Sequence, residues 1–210
     1  MEKVISKVEE WEKSNIQVFL GEIAPCDHLV QIYENDKIFL DTLEGFAGTG
    51  FIANESVIII ATSNHLSALN NRLLAQGFNL DALTATDQYF PLDVNDVFSK
   101  ILINNWLDEN QFESFVFNLI NRAKKNNRKV RTFGELVAVL WAQGHCGVTV
   151  QMEHLWHQLY HKYKFTLYCA YPKVGFTQSA KDSIDTICKK HSKIIDGQSR
   201  PATDIYYKTA

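Results

Sequence analysis

Glu135 closes the short run Val130-Arg131-Thr132-Phe133-Gly134. An acid directly after a buried strand is where a nucleotide hydrolase holds Mg²⁺ or activates water. Without that chemistry, the same carboxylate pairs with Arg131 or caps the next helix. Similar groups follow other apolar runs: Thr62-Ser63-Asn64-His65 after Val57–Ala61, Asp93 after Tyr89–Leu92, and Tyr171 just before Pro172. Such a set of hydroxyls, imidazole, guanidinium and carboxylates suits recognition of a small polar molecule. His154, His157 and His161 recur three and four residues apart, which puts them on one helix face as in chelating sites. The opposite face carries Met152, Leu155, Trp156, Leu159 and Tyr163, so the histidines are expected in solvent. No carboxylate stands with them to orient the rings, and neither a metal nor a cofactor is expected. His28, between Cys26 and Tyr33, has two readings: a pocket wall able to meet a soft metal, or a satisfied core histidine. Cys169, inside an apolar run, reads first as a small hydrophobe.

These groups act together only if the chain brings them to one place. Val57-Ile58-Ile59-Ile60-Ala61 is short, β-branched and continuously apolar, as a strand covered on both faces must be. Leu29–Tyr33, Tyr89–Asp93, Val130–Glu135 and Phe165–Pro172 read as further strands. Between them lie helical patterns over 37–48, 65–76, 94–105, 110–125, 136–141 and 152–163, with a final helix over 178–191. Asn35-Asp36 caps the first of these, and Gly48-Thr49-Gly50 is expected to end it. Strands alternating with helices predict an α/β fold, a doubly wound and mainly parallel sheet in three layers. In such sheets ligands sit at the carboxyl ends of the strands. Thr62–His65, Asp93, Phe133–Glu135 and Tyr171 are expected to meet there, with Arg131 paired to a polar ligand group or to Glu135.

A phosphate loop would place G-x-x-x-x-G-K-S/T after the first core strand, so that backbone amides cradle phosphate. With Val57–Ala61 taken as that strand, the place holds Ala61-Thr-Ser-Asn-His-Leu66, without glycine or lysine. Nucleoside triphosphate chemistry is therefore disfavoured. The net charge of −3 and pI near 6.2 give no footprint for nucleic acid or an anionic membrane. No apolar run approaches the ~20 residues that span a bilayer. Four scattered cysteines without a C-x-x-C pair suit a reducing compartment, and the charged first fourteen residues do not read as a signal peptide, so a cytoplasmic location is expected. Val4, Ile5, Val8 and Trp11 mark an amphipathic helix over 2–13, packed on its own domain or against a second copy in a homodimer.

One ordered series of residues resembles a known family. It runs His28-x-x-x-x-Tyr33-Glu34, Gly50-Phe51, Ile60-Ala61-Thr62-x-x-His65, Leu92-Asp93, then Val130-Arg131-x-Phe133-Gly134-Glu135-Leu-Val-Ala-x-Leu140-Trp141-x-x-Gly144. Leu155-Trp156-x-x-Leu159, Phe165-x-Leu-x-Cys169-Ala-Tyr171-Pro172 and Cys188-x-x-His191-Ser192 complete it. Over residues 27–195 this resembles the MEDS family, the methanogen/methylotroph DcmR sensory domain. The resemblance implies a RecA-like fold with a degenerate nucleotide site that has lost its phosphate loop. It also implies a sensory role, with one-carbon or hydrocarbon-derived ligands, feeding a histidine kinase or transcription regulator. Carried over residue by residue, it points to His28, Tyr33, His65, Arg131, Glu135 and Cys169. Many members have a cysteine two residues after the first histidine; Val30 stands there in this chain, with Cys26 on the other side.

The expected organisation is an N-terminal helix over 1–14, a sensory domain over 15–197 and a tail over 198–210. The expected function is a non-catalytic sensor whose output is an interaction in trans. The alternatives are a nucleotide-binding enzyme with Glu135 as base, and a protein-interaction scaffold without a pocket.

Overall fold

A computed structural model of the chain describes residues 27–173, 193–197 and 205–207. Its sheet has seven strands in the order β3-β2-β6-β7-β1-β8-β9. They are β1 (His28–Tyr33), β2 (Ser56–Ala61), β3 (Tyr89–Asp93), β6 (Val130–Gly134), β7 (Thr166–Pro172), β8 (Lys193–Gly197) and β9 (Ile205–Tyr207). All neighbours pair in parallel except β8 and β9. A separate hairpin, β4 (Leu102–Ile103) and β5 (Trp106–Leu107), lies outside the sheet. The helices are α1 (Asp36–Ile52), α2 (Ser63–Ala75), α3 (Leu80–Ala85), α4 (Val94–Ile101), α5 (Glu109–Ala123), α6 (Leu136–Ala142) and α7 (Cys146–Tyr163).

Strand periodicity divides the core into two layers. Ile58, Ile60, Val30, Val130, Leu167 and Cys169 face α4 to α7, while Val57, Ile59, Leu29, Phe133 and Tyr168 face α1 to α3. The three-layer, mainly parallel α/β architecture expected from the sequence is the one observed.

Several elements differ from expectation for identifiable reasons. The first helix does not stop at Gly48-Thr49-Gly50 but runs on to Ile52. Gly45, Gly48 and Gly50 lie on its buried side, where small residues let it approach the sheet. At Gly50 the approach is closest: an added Cβ would lie 2.8 Å from Arg131 Cδ and 2.8 Å from Val57 Cγ2. Gly50→Ala should therefore cost about 1–3 kcal/mol as overpacking strain, read as a lower urea midpoint at unchanged slope.

The helix expected over 94–105 ends at Ile101. Asn104 and Asn105, both left-handed with φ of 52° and 63°, turn the chain into the β4–β5 hairpin. The helix expected to open at Met152 starts six residues earlier, at Cys146. Ile205–Tyr207, expected within a tail, pairs antiparallel with β8, itself not anticipated as a strand. The expected N-terminal helix, Cys26, the helix over 178–191 and Cys188 lie outside the described residues.

β1, not β2, is the first core strand, flanked by β7 and β8. The place of a phosphate loop is thus Glu34-Asn35 with the start of α1, rather than the segment after Ala61. Glu34-Asn35-Asp36-Lys37 has no glycine, but unlike the segment after Ala61 it does hold a lysine, Lys37, which pairs with Asp41 at 3.3 Å. Asn35 instead closes the helix end as a cap, its Oδ1 accepting from the Ile38 amide at 3.1 Å.

Candidate ligand site at the carboxyl edge of the sheet

β2 and β6 end side by side, Ile60 opposite Gly134, and each gives one half of a buried clamp. The Glu135 amide donates to the Ile60 carbonyl at 2.8 Å, fixing the acid directly above the strand ends. One oxygen of its carboxylate accepts from the Thr62 amide at 2.9 Å. The other meets Nδ1 of His65 at 2.8 Å. Thr62 is also the cap of α2, which aims His65 back at the acid. Glu135 therefore neither caps α6 through its side chain nor pairs with Arg131; it bolts β2–α2 to β6–α6.

This contact fixes the electrostatics. The hydrogen bond that His65 donates to Glu135 raises the His65 pKa above its usual value; burial opposes this, and the charges of Glu135 and Asp36 add to it. Tyr33, at the end of β1, is pushed up by burial and then by the same two carboxylates, so its phenol keeps its proton. Phe39 joins these residues from α1. Its ring centroid lies 4.8 Å from that of Tyr33, in a stacked pair, and 4.8 Å from that of His65. Beyond the aromatic group, Asp93 accepts from Ser63 Oγ and, at 2.8 Å, from the Asn95 amide. These bonds, Ser63 first, hold the Asp93 carboxyl below its usual range. Asn64 is exposed on the first turn of α2.

The remaining sequence candidates lie elsewhere. Arg131 sits near the amino end of β6, buried, with Nε 2.5 Å from a Glu55 oxygen. Its Nη1 donates to the Phe46 carbonyl and to Thr49 Oγ1, each at 3.0 Å, and its guanidinium lies over the Phe46 ring. It is a cation locked beneath the end of α1, about a strand length from Glu135.

His28, Cys169 and Tyr171 face the other layer, under α7. His28 is fully buried, its Nε2 3.8 Å from Cys169 Sγ and its ring 4.8 Å from that of Tyr160. The Tyr171 hydroxyl donates to Glu153, a buried acid of α7. Burial pushes the Cys169 thiol well up, and the Glu153 charge adds to this. His157 departs from the solvent position expected of it: it is half-buried, with its ring 6.1 Å from His28, while His154 and His161 are exposed. Residues overlooked in the sequence are Phe39 and Glu153. Phe39 had a signal, lying a few residues past a strand end; Glu153 had none, being one charge inside an apolar helical stripe.

Among the described residues no helix is long and apolar enough to cross a membrane. No curated protein matches the chain. Solved structures do. A KaiC-like protein from the hyperthermophilic archaeon Pyrococcus horikoshii OT3 aligns over 90% of this chain and 84% of its own, at a TM-score of 0.55 and 8% identity. A second protein of that organism, solved in a structural study, covers 93% of this chain and 92% of its own, at 0.56 and 9%. Identities this low carry the fold alone, and that fold is RecA-like. A sheet of this order, a chain that leaves β1 without a phosphate loop, and a match over residues 27–192 to the family MEDS (MEthanogen/methylotroph, DcmR Sensory domain) converge, and the chain belongs to the MEDS family of sensory domains.

Proposed function

We propose that the domain senses a small organic molecule held at the carboxyl edge of β1, β2 and β6, without turning it over. Tyr33, Phe39, Thr62, His65 and Glu135 form the site, and Asp93 and Asn64 border it. Arg131 takes no part in binding, and His28, Cys169 and Tyr171 support the sheet from its other face. The output is an interaction in trans, for which the family suggests a histidine kinase or transcription regulator as partner. Such a partner would read the two strand–helix junctions that Glu135 ties together.

The observation that carries this reading is the partly buried Glu135–His65 contact beside the aromatic pair Tyr33–Phe39. Both carboxylate oxygens of Glu135 are engaged, which suits a positioning residue better than a base that must take a proton from water. The segment after β1 has no glycine to cradle phosphate, which weighs against the nucleotide enzyme.

Thermal-shift and native mass-spectrometric screening of the full chain against small organic compounds tests the proposal. A ligand near 100 times its Kd should stabilise the fold by about 2.7 kcal/mol and raise Tm by roughly 5–10 °C. Glu135→Gln should lose most of that rise. Equal stabilisation of the variant would place the ligand elsewhere, and ATP turnover abolished by Glu135→Gln would replace the sensor with an enzyme.

A further inference from the structure

The amphipathic segment ahead of β1 has no part in the ligand-site reading, and a groove near the amino edge of the sheet suits it. On α5, Ser114, Phe117, Asn118, Asn121, Arg122 and Lys125 recur at helical spacing and are all exposed. Phe117 is 45% exposed, and its ring centroid lies 5.6 Å from that of Tyr163, the last residue of α7. Glu113, Phe117, Asn118 and Tyr163 line a groove of about 390 Å³ between the two helices. Glu113 is engaged there, accepting from Lys162 Nζ at 2.5 Å and from the Tyr163 hydroxyl at 2.8 Å. An aromatic pair open to solvent at the side of a groove is a seat for one large apolar side chain.

Positive charge surrounds that seat. Residues 118–129 hold five cations and no acid, and Lys162 and Lys164 add two more. Among the described residues the carboxylates paired with them are Asp87, which meets Arg122 and Lys125, and Glu113. The ends of α5 and α7 contribute about half a negative charge each, so most of the excess stands. Lys124 Nζ donates to the Tyr163 carbonyl at 2.5 Å and joins the two helix ends into one surface. A segment that fits must carry a large apolar side chain among carboxylates, and Val8-Glu9-Glu10-Trp11-Glu12 is one. It is also within reach. The Asp27 carbonyl accepts from the Leu167 amide at 2.9 Å, three residues past Lys164. The fifteen residues between Trp11 and Asp27 can extend about 50 Å. We propose that residues 8–12 dock in cis on this groove, Trp11 against Phe117 and Tyr163 and its acidic neighbours over the cations of α5 and α7. The proposal goes beyond the ligand-site reading and does not rest on it. Duplex nucleic acid fits less well, because its backbone offers no apolar anchor and the chain as a whole carries −3.

NOE spectroscopy of the full chain tests this, with contacts expected from the Trp11 indole to the Phe117 and Tyr163 rings. Phe117→Ser alters a residue already exposed and should break them. Trypsin cleavage after Lys7 and Lys13, followed by mass spectrometry, should then quicken about tenfold for loss of one packed aromatic contact. Glu9→Gln, Glu10→Gln and Glu12→Gln together should quicken it roughly threefold to tenfold, and about 0.5 M NaCl should act in the same direction on the wild type. Equal cleavage in wild type and Phe117→Ser, with no contact from Trp11 to either ring, would overturn the proposal. Contacts seen only between differently labelled copies in a mixed sample would overturn docking in cis and make the groove a dimer contact. Duplex DNA that shifts Arg122 and Lys125 while Trp11 stays out of the groove would give the surface to nucleic acid instead. None of these readouts involves Glu135, so the ligand-site proposal stands or falls separately.

Discussion

Arg131→Ala should be the most damaging single substitution in the described core, lowering stability by about 3–5 kcal/mol. Its guanidinium is buried and engages Glu55, the Phe46 carbonyl and Thr49 Oγ1 at once. Removing it leaves a mostly buried carboxylate without its cation and a helix carbonyl without its donor, each a desolvation cost with no return. Chemical denaturation with equal slopes for both proteins checks the size. A paired change, Arg131→Met with Glu55→Gln, should recover most of the loss, because it removes charge from both sides and keeps the volume. Gly50→Ala should be less harmful on the Arg131→Ala background, since one of its two closest contacts has gone. A loss below 1 kcal/mol for Arg131→Ala would mean that the cation is exposed in solution, contrary to its burial here.

Glu135→Ala comes next, at about 2–4 kcal/mol near pH 6, because it removes bonds from a charged, buried acceptor to both Thr62 and His65. The pH dependence has a definite sign. His65 has a raised pKa in the folded state, so its contribution is fully present below the unfolded value near 6.5 and is lost as pH rises through the folded one. The gap between wild type and Glu135→Ala should therefore narrow on moving from pH 6 to pH 9. It should not close, because the Thr62 amide still donates to the carboxylate when His65 is neutral. Titration of His65 by NMR gives the companion result, a lower pKa in the variant. An unchanged His65 pKa would show that the contact does not form in solution.

These two residues stand four apart in one strand and its exit, and they show how far sequence reasoning reaches. Both were expected in a single polar cluster. Four residues of extended chain separate them by roughly 13 Å, which alone argues against a direct pair. Strand parity was equally available: His28 and Tyr33 differ by an odd number of positions, so an ordinary strand sends them to opposite sheet faces. His28 accordingly meets Cys169 and Tyr160 under α7, while Tyr33 meets Phe39 under α1. The aromatic–histidine set at the edge was partly legible, since Tyr33, Thr62, His65 and Glu135 all directly follow or end apolar runs.

What the amino-acid order determined by itself was the periodicity. Continuous β-branched runs made buried strands, amphipathic runs made helices, and their alternation made the sheet parallel and layered. It also shows no G-x-x-x-x-G-K-S/T series, a device that requires particular residues at fixed offsets. Only the tertiary structure decided which strand ends are neighbours. The order β3-β2-β6-β7-β1 brings segments 70 positions apart to 2.8 Å at His65 and Glu135. It likewise carries Arg131 beneath Gly50, where a helix continues through glycines that locally favour its end. Both outcomes depend on contacts between distant segments, and local propensity, worth at most about 1 kcal/mol per residue for glycine, yields to such packing.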